Sequence, residues 1–272
     1  MSAERGALIA AASDCAVCHT MEKDGEALAG GRPLKTPFGT FYTPNITPDK
    51  EHGIGAWSAA EFHRAMRSGI GRHGEYLYPV FPYTSFTGMT DRDIADLYAY
   101  LMAQPASPRA NTPNEIGFPF NIRLSLFGWR LLFFKEGPLE PLPEQSAEIN
   151  RGRYLAEALG HCQECHTPRN FLGAMRRGKA MSGNLDGPDG QEAPNITPHD
   201  SGIGKWSVAE IEDLLDSGVT PTGDYVGSGM ADVVKGTGKL SPEDRHAIAV
   251  YLKSLPPLPS TPRKTASQPS RQ

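Results

Sequence analysis

Cys15-Ala16-Val17-Cys18-His19 and Cys162-Gln163-Glu164-Cys165-His166 hold every cysteine of the chain, and each pair ends on an adjacent histidine. Cys-x-x-Cys-His is the attachment signature of a c-type haem. The spacing has a mechanical reason. Two thiols must reach the two vinyl groups on one porphyrin edge, while the next imidazole swings beneath the plane to the iron. Three other readings fit less well. A four-thiolate zinc site needs no histidine after each pair. A redox Cys-x-x-Cys belongs near a βαβ pattern, and none is visible. Two disulfides closing such small loops leave both histidines without a purpose. The sequence therefore predicts two covalently bound haem c groups. Cys15, Cys18, Cys162 and Cys165 are the attachment points, and His19 and His166 the proximal iron ligands.

The rest of the chain repeats with the motifs. Pro44-Asn45-Ile46-Thr47-Pro48 returns as Pro194-Asn195-Ile196-Thr197-Pro198, about 150 residues downstream. Gly53-Ile54-Gly55, Trp57-Ser58 and Gly69 return as Gly202-Ile203-Gly204, Trp206-Ser207 and Gly218. A duplicated module follows, and its patterning is helical. Leu8, Ile9 and Ala12 sit at helical spacing before the first motif, as Tyr154, Leu155, Ala158 and Leu159 do before the second. Ser58-Ala59-Ala60-Glu61 and Ser207-Val208-Ala209-Glu210 read as capping boxes, and Gly69 and Gly218 as helix stops. A last helix starts at Thr90 in one copy and at Ser241-Pro242 in the other.

The expected architecture is all-α: two tandem cytochrome c-like domains, 1–103 and 151–255, joined by a Pro-rich connector over 104–150. The connector leaves room for one helix, near Ile122 to Phe134, which is too short and too charged to span a bilayer. It reads as a helix packed across both domains, with an apolar docking surface for a partner subunit or the membrane interface as the functional alternative. The stretch 256–272 is rich in Pro, Ser and Thr and is expected to be a disordered tail.

A chain of 272 residues with net charge −4 and sequence pI near 6.1 has no basic block or phosphate loop, so no nucleic-acid partner is expected. Covalent haem attachment takes place outside the bacterial cytoplasm, which predicts a periplasmic location. Met1-Ser2-Ala3-Glu4-Arg5 does not read as an export signal. A native leader or N-terminal anchor is therefore expected to be missing from this chain. Membrane association is expected only through a partner or such a segment.

The remaining iron ligands are less symmetric. Met230, in Gly227-Ser228-Gly229-Met230-Ala231, reads as a glycine-flanked loop offering a thioether to the second haem. The corresponding position in the first half is Phe81, which cannot bind iron. Met89, which also suits a hydrophobic staple before Thr90, His73 in the Gly71-to-Gly74 loop, and an open iron stand as alternatives there. Trp57 and Trp206 are candidates either for core packing or for donating an indole N–H to a haem propionate. Pro44 and Pro194 are candidates for setting a carbonyl against the proximal imidazole, and the neighbouring Asn45 and Asn195 are grouped with them as cofactor-binding candidates.

Several runs resemble the multihaem cytochrome c subunits of bacterial membrane-bound dehydrogenases. These are Cys15-to-Thr20 with Arg5-Gly6, Gly30-to-Thr40, Tyr78-to-Tyr83, Phe118-to-Arg123 and Leu159-to-Asn170. The resemblance reaches to about Leu255. It implies a dihaem cytochrome carrying single electrons from an alcohol, gluconate, aldehyde or nicotinate-type dehydrogenase subunit to a downstream acceptor. Two departures stand out: many relatives carry a third haem and an anchor, and many have Met where Phe81 stands. The second motivates an alternative, a haem enzyme acting on peroxide or a sulfur compound at an open first iron.

Overall fold

The computed structural model describes residues 1–23, 25–187 and 190–261. Helix α1 (Ala3–Ala12) leads into the one-turn helix α2 (Cys15–His19). A hairpin of β1 (Pro33–Thr36) and β2 (Gly39–Tyr42) follows, then α3 (Ala59–Ser68), the short α4 (Tyr83–Phe86) and α5 (Asp91–Met102). Strand β3 (Glu115–Ile116) and α6 (Ser125–Phe133) occupy the connector. The order then recurs. Helix α7 (Ala147–Arg153) runs on as a π-helical turn (Tyr154–Leu159) into α8 (Gln163–His166). After a loop come α9 (Val208–Ser217), α10 (Ser228–Thr237) and α11 (Pro242–Ser254).

The helix ends form where the sequence signals them. Ser58 and Ser207 accept from the amides of Glu61 and Glu210, whose carboxylates accept in return from the serine amides. Gly69 and Gly218 close those helices in the left-handed conformation, at φ 60° and 78°. Thr90 and Ser241 accept from Asp93 and Asp244.

Each motif-bearing helix is clamped by the last helix of its half. Arg5 on α1 donates to Asp93 and Asp96 on α5, at 2.5 and 2.8 Å. Arg151 on α7 makes a bidentate pair with Asp244 on α11, at 2.8 and 2.7 Å. Between these clamps lies one continuous core that takes in Ile9, Ile94 and Leu97 from one half and Leu155, Ile248 and Leu252 from the other.

Two expectations need correction. The fold is not purely helical, because β1, β2 and β3 form a small antiparallel sheet with Leu34 opposite Phe41 and Thr40 opposite Glu115. Its turn is held by Thr36, whose hydroxyl donates to the Gly39 carbonyl and accepts from the Phe38 amide. The start of the connector folds back on the first half, where Asn114 accepts from the Tyr42 amide and the Ser107 carbonyl from Asn45, and at its end Ser146 caps α7. The tail is ordered at its start, where the Leu258 carbonyl accepts from Asn195 and Thr197 and the Ser260 amide donates to Ser201. Positions 262–272 of that expected tail lie outside the described residues.

Candidate haem sites

In both motifs the backbone turns once around the Cys-x-x-Cys-His segment, so the two thiols and the imidazole emerge from one short helix. The turn is entered from a left-handed residue in each case, Asp14 at φ 51° and His161 at φ 37°. An arginine then holds the carbonyl just before the second cysteine. Arg32 donates to Val17 at 2.7 Å, and Arg169 donates to Glu164 at 3.0 Å. The exit is tied as well, because the amides of Gly30 and Gly183 donate to the carbonyls of His19 and His166.

The Pro44 carbonyl lies 2.7 Å from His19 Nδ1, and the Pro194 carbonyl lies 2.7 Å from His166 Nδ1. A carbonyl can only accept, so Nδ1 carries the proton and Nε2 keeps its lone pair for a metal. Burial holds both imidazoles below the ordinary histidine range, with the prolyl carbonyl pulling the other way. Both rings are thus neutral near pH 7, the form a ligand needs.

The Asn-Ile-Thr turn behind each proline explains why that carbonyl points at the ring. Asn45 Oδ1 accepts from the amide and hydroxyl of Thr47, while its Nδ2 donates to the carbonyls of Ser107 and Arg109. Asn195 repeats this with Thr197, Leu258 and Ser201. The amides of Asn45 and Asn195 are committed to the protein, and both residues act by fixing Pro44 and Pro194. Asn45→Ala should strand the Thr47 amide and two buried carbonyls, costing about 1–3 kcal/mol in denaturant titration. It should also loosen the His19 hydrogen bond, making the imidazole less basic and raising the associated potential. A stability loss with no movement of either potential would count against this positioning role.

The thiols also fit covalent attachment better than metal or redox chemistry. Cys15 and Cys162 are pushed up to about 12, first by burial, then by Asp14 and Cys18 for Cys15 and by Cys165 and Asp14 for Cys162. Reactive and metal-binding thiols need the opposite, a lowered pKa. Among the described residues, no group of three His, Cys, Asp or Glu side chains could hold a metal ion. The donor set on each turn is two cysteine thiols and one neutral imidazole. It fits a haem held by two thioethers and a proximal histidine, which when bound supplies a one-electron iron couple.

Met230 is not in a loop. It lies in the first turn of α10 and is half-buried, because the run from Ala231 to Lys235 continues the helix past the two glycines. Met89 is fully buried between α4 and α5, and its carbonyl accepts from Arg67 at 2.6 Å. His73 is exposed at a loop tip. Phe81 packs against Phe86 and Tyr83. Trp57 and Trp206 pack at the edge of the core, and their carbonyls accept from Tyr98 and Lys253.

Sequence reasoning overlooked the contact between the motifs. His161 Nε2 lies 3.3 Å from the Ser13 carbonyl, and the His161 ring meets Phe86 edge-on. Glu164, inside the second motif, accepts from Thr84 and Ser85 of the first half, at 2.7 and 2.9 Å, and from Arg169 at 2.5 Å. Cys165 is pushed up to about 12 by burial and then Glu164, with smaller contributions from Cys18 and Asp14. The two attachment turns thus stand side by side.

The comparisons agree with this geometry. Residues 3–105 match the cytochrome c family. A protein of Cereibacter sphaeroides named "Diheme cytochrome c-type" is 46% identical over 264 residues, which cover 93% of this chain and 86% of that one. A nicotinate dehydrogenase component from Pseudomonas putida is 46% identical over 253 residues, covering 93% of this chain but 21% of its own length. The fructose dehydrogenase cytochrome subunit of Gluconobacter japonicus is 41% identical over 259 residues, 94% of this chain and 53% of that one. The chain therefore spans about a fifth and about half of these last two relatives. Identity sustained over most of both chains in the first comparison, together with the paired attachment turns, places the protein in the c-type cytochrome family that includes the cytochrome c subunits of bacterial dehydrogenases.

Proposed function

We propose that the chain is a pair of tandem haem domains relaying single electrons in the periplasm, from a dehydrogenase catalytic subunit to a downstream acceptor. The observation that carries this reading is the juxtaposition of the two attachment turns, with His161 of one within 3.3 Å of Ser13 beside the other. Haems held on adjoining turns would supply one-electron couples, and the protein's own residues need offer no proton chemistry. The names of the dehydrogenase relatives support the choice of donor. The chain's own part is positional. Cys15, Cys18, Cys162 and Cys165 would tether the haems, His19 and His166 would hold iron through Nε2, and Pro44 and Pro194 fix the ring tautomer. Met230 is assigned as the distal ligand in the second half. Met89 is assigned in the first, ahead of His73, because it is fully buried while His73 is exposed.

An anaerobic optical titration of the holoprotein should resolve two one-electron steps, both from low-spin spectra. Met230→Ala should lower the upper potential and leave the other step in place, since a thioether opposite histidine raises the potential. An unchanged upper step removes Met230 from the iron. A high-spin wild-type fraction that binds carbon monoxide rapidly, with peroxide turnover, replaces the relay reading with that of a haem enzyme.

A further inference from the structure

Helix α6 is built inside out. A surface helix ordinarily turns its apolar stripe to the core and its charges to water. In α6 the single charged residue, Arg130, is the one turned inward. Its side chain is 12% exposed, donates to the Ser68 carbonyl and lies over the rings of Tyr76, Tyr83 and Phe134. Leu126 is buried beside it, and Trp129 donates its indole N–H to the Leu172 carbonyl at 2.9 Å. The outward face is left to Phe127, Leu131 and Leu132, the two leucines 71% and 73% exposed.

That face continues on both sides. Phe120 meets Phe38 edge-on at 4.8 Å, and Phe38 lies against the backbone of Gly173. Phe118 and Phe171 stand out at 80% and 87% exposure. A soluble surface tolerates single apolar residues, but a contiguous apolar face marks a docking site.

The charge pattern selects the occupant. The two stretches that build the face, 116–135 and 167–185, carry seven Lys and Arg and no Asp or Glu, in a chain with 31 acidic against 27 basic residues. Arg123, Lys135, Arg176 and Arg177 are exposed there, and Arg177 donates to the Phe133 carbonyl at the end of α6. Acids stand only at the ends of these stretches: Glu115 accepts from the Tyr42 hydroxyl at 3.2 Å, Glu136 accepts from the Ser68 hydroxyl at 2.7 Å and lies 3.9 Å from Arg130, and Asp186 is exposed. Leucine and phenylalanine ringed by cations, on a helix too short to cross a bilayer, form the pattern of a surface lying in a lipid interface.

We propose that this face seats the protein on an anionic phospholipid bilayer, with α6, Phe118 and Phe171 at the headgroup–acyl boundary and the basic side chains among the phosphates. The sequence left the connector helix open as a docking surface for a partner subunit or for the membrane interface; the outward apolar face and its basic rim favour the membrane.

The test is co-sedimentation of the holoprotein with phosphatidylcholine vesicles, with and without phosphatidylglycerol. Binding should require phosphatidylglycerol and weaken as salt is raised. Leu131→Glu with Leu132→Glu, and separately Arg176→Glu with Arg177→Glu, should each weaken it by at least about tenfold. Of these four side chains only Arg177 donates a hydrogen bond among the described residues. Unchanged haem spectra and redox titration report that the variants are folded. No sedimentation of the wild type with either vesicle overturns the proposal, as does equal binding by the variants. Variants that fail only to accept electrons from a dehydrogenase subunit, with vesicle binding intact, also overturn it and make the face a protein dock.

Discussion

Gly6→Leu and Gly152→Leu should each cost the folded holoprotein about 3 kcal/mol or more, enough to leave much of it unfolded at physiological temperature. Both glycines sit where a motif-bearing helix crosses the last helix of its half. A Cβ on Gly6 would lie 2.0 Å from the Asp96 carbonyl oxygen and 2.6 Å from the Tyr100 Cβ. One on Gly152 would lie 1.9 Å from the Ala247 carbonyl oxygen and 2.7 Å from the Tyr251 Cβ. The first obstacle in each case is backbone within a helix, which cannot rotate aside as a long side chain can. The helices must therefore part. Parting them strips contacts from Ile94 and Leu97 in one half or Ile248 and Leu252 in the other, and pulls the Arg5 and Arg151 clamps out of register. Guanidinium unfolding followed by far-ultraviolet dichroism measures the loss. Gly128→Ala is the control, because nothing lies within 4 Å of its added Cβ and it sits mid-helix. It should stabilise α6 by up to about 1 kcal/mol. A leucine variant at Gly6 or Gly152 as stable as that control would mean the close approach is not a packing constraint.

These crossings show what a single sequence can disclose. Gly6 and Gly152 are ordinary letters until the partner helix is in place, since their requirement comes from residues some 90 positions away. Local signals were legible. The serine caps, the glycine stops and Pro242 each act on the next few residues and needed no tertiary information. The attachment motifs were legible because their spacing is set by the cofactor rather than by the fold. Non-local pairing was not. β3 joins the hairpin across the chain with two residues, too few to leave a period. Arg32 and Arg169 do the same work at different distances from their motifs, so aligning the two halves hides one behind the other. Met230 looked like a loop residue because two glycines flank Ser228, yet the helix takes hold from Gly227 onward. Asn45 and Asn195 were found by the repeat, but the repeat could not say that their amides grip the backbone of distant segments.

The position just before each motif was overlooked for a related reason: Asp14 and His161 differ in type, so the repeat does not mark them. Asp14→Asn should stabilise the holoprotein at neutral pH and do nothing in acid. Asp14 is buried, and burial raises its pKa to about 6, with Asp232 adding to the rise and His161 opposing it. In the unfolded chain the same carboxyl titrates near 3.9. Between those values the native state holds a proton that the unfolded state has released. Stability therefore falls as pH rises through that window, and the whole cost stands above about pH 6. A gap of about two pH units, at about 1.4 kcal/mol each, amounts to roughly 3 kcal/mol. Asparagine removes the charge, keeps the size and accepts the left-handed conformation at φ 51° that the motif entry requires. Its advantage should appear between about pH 4 and 6, reach roughly 2–3 kcal/mol at pH 7.5, and vanish below pH 4. Paired denaturant titrations of wild type and variant at those three acidities read it directly. A difference that stays constant with pH would show that Asp14 titrates alike in the folded and unfolded chain, with its burial compensated by a partner such as His161.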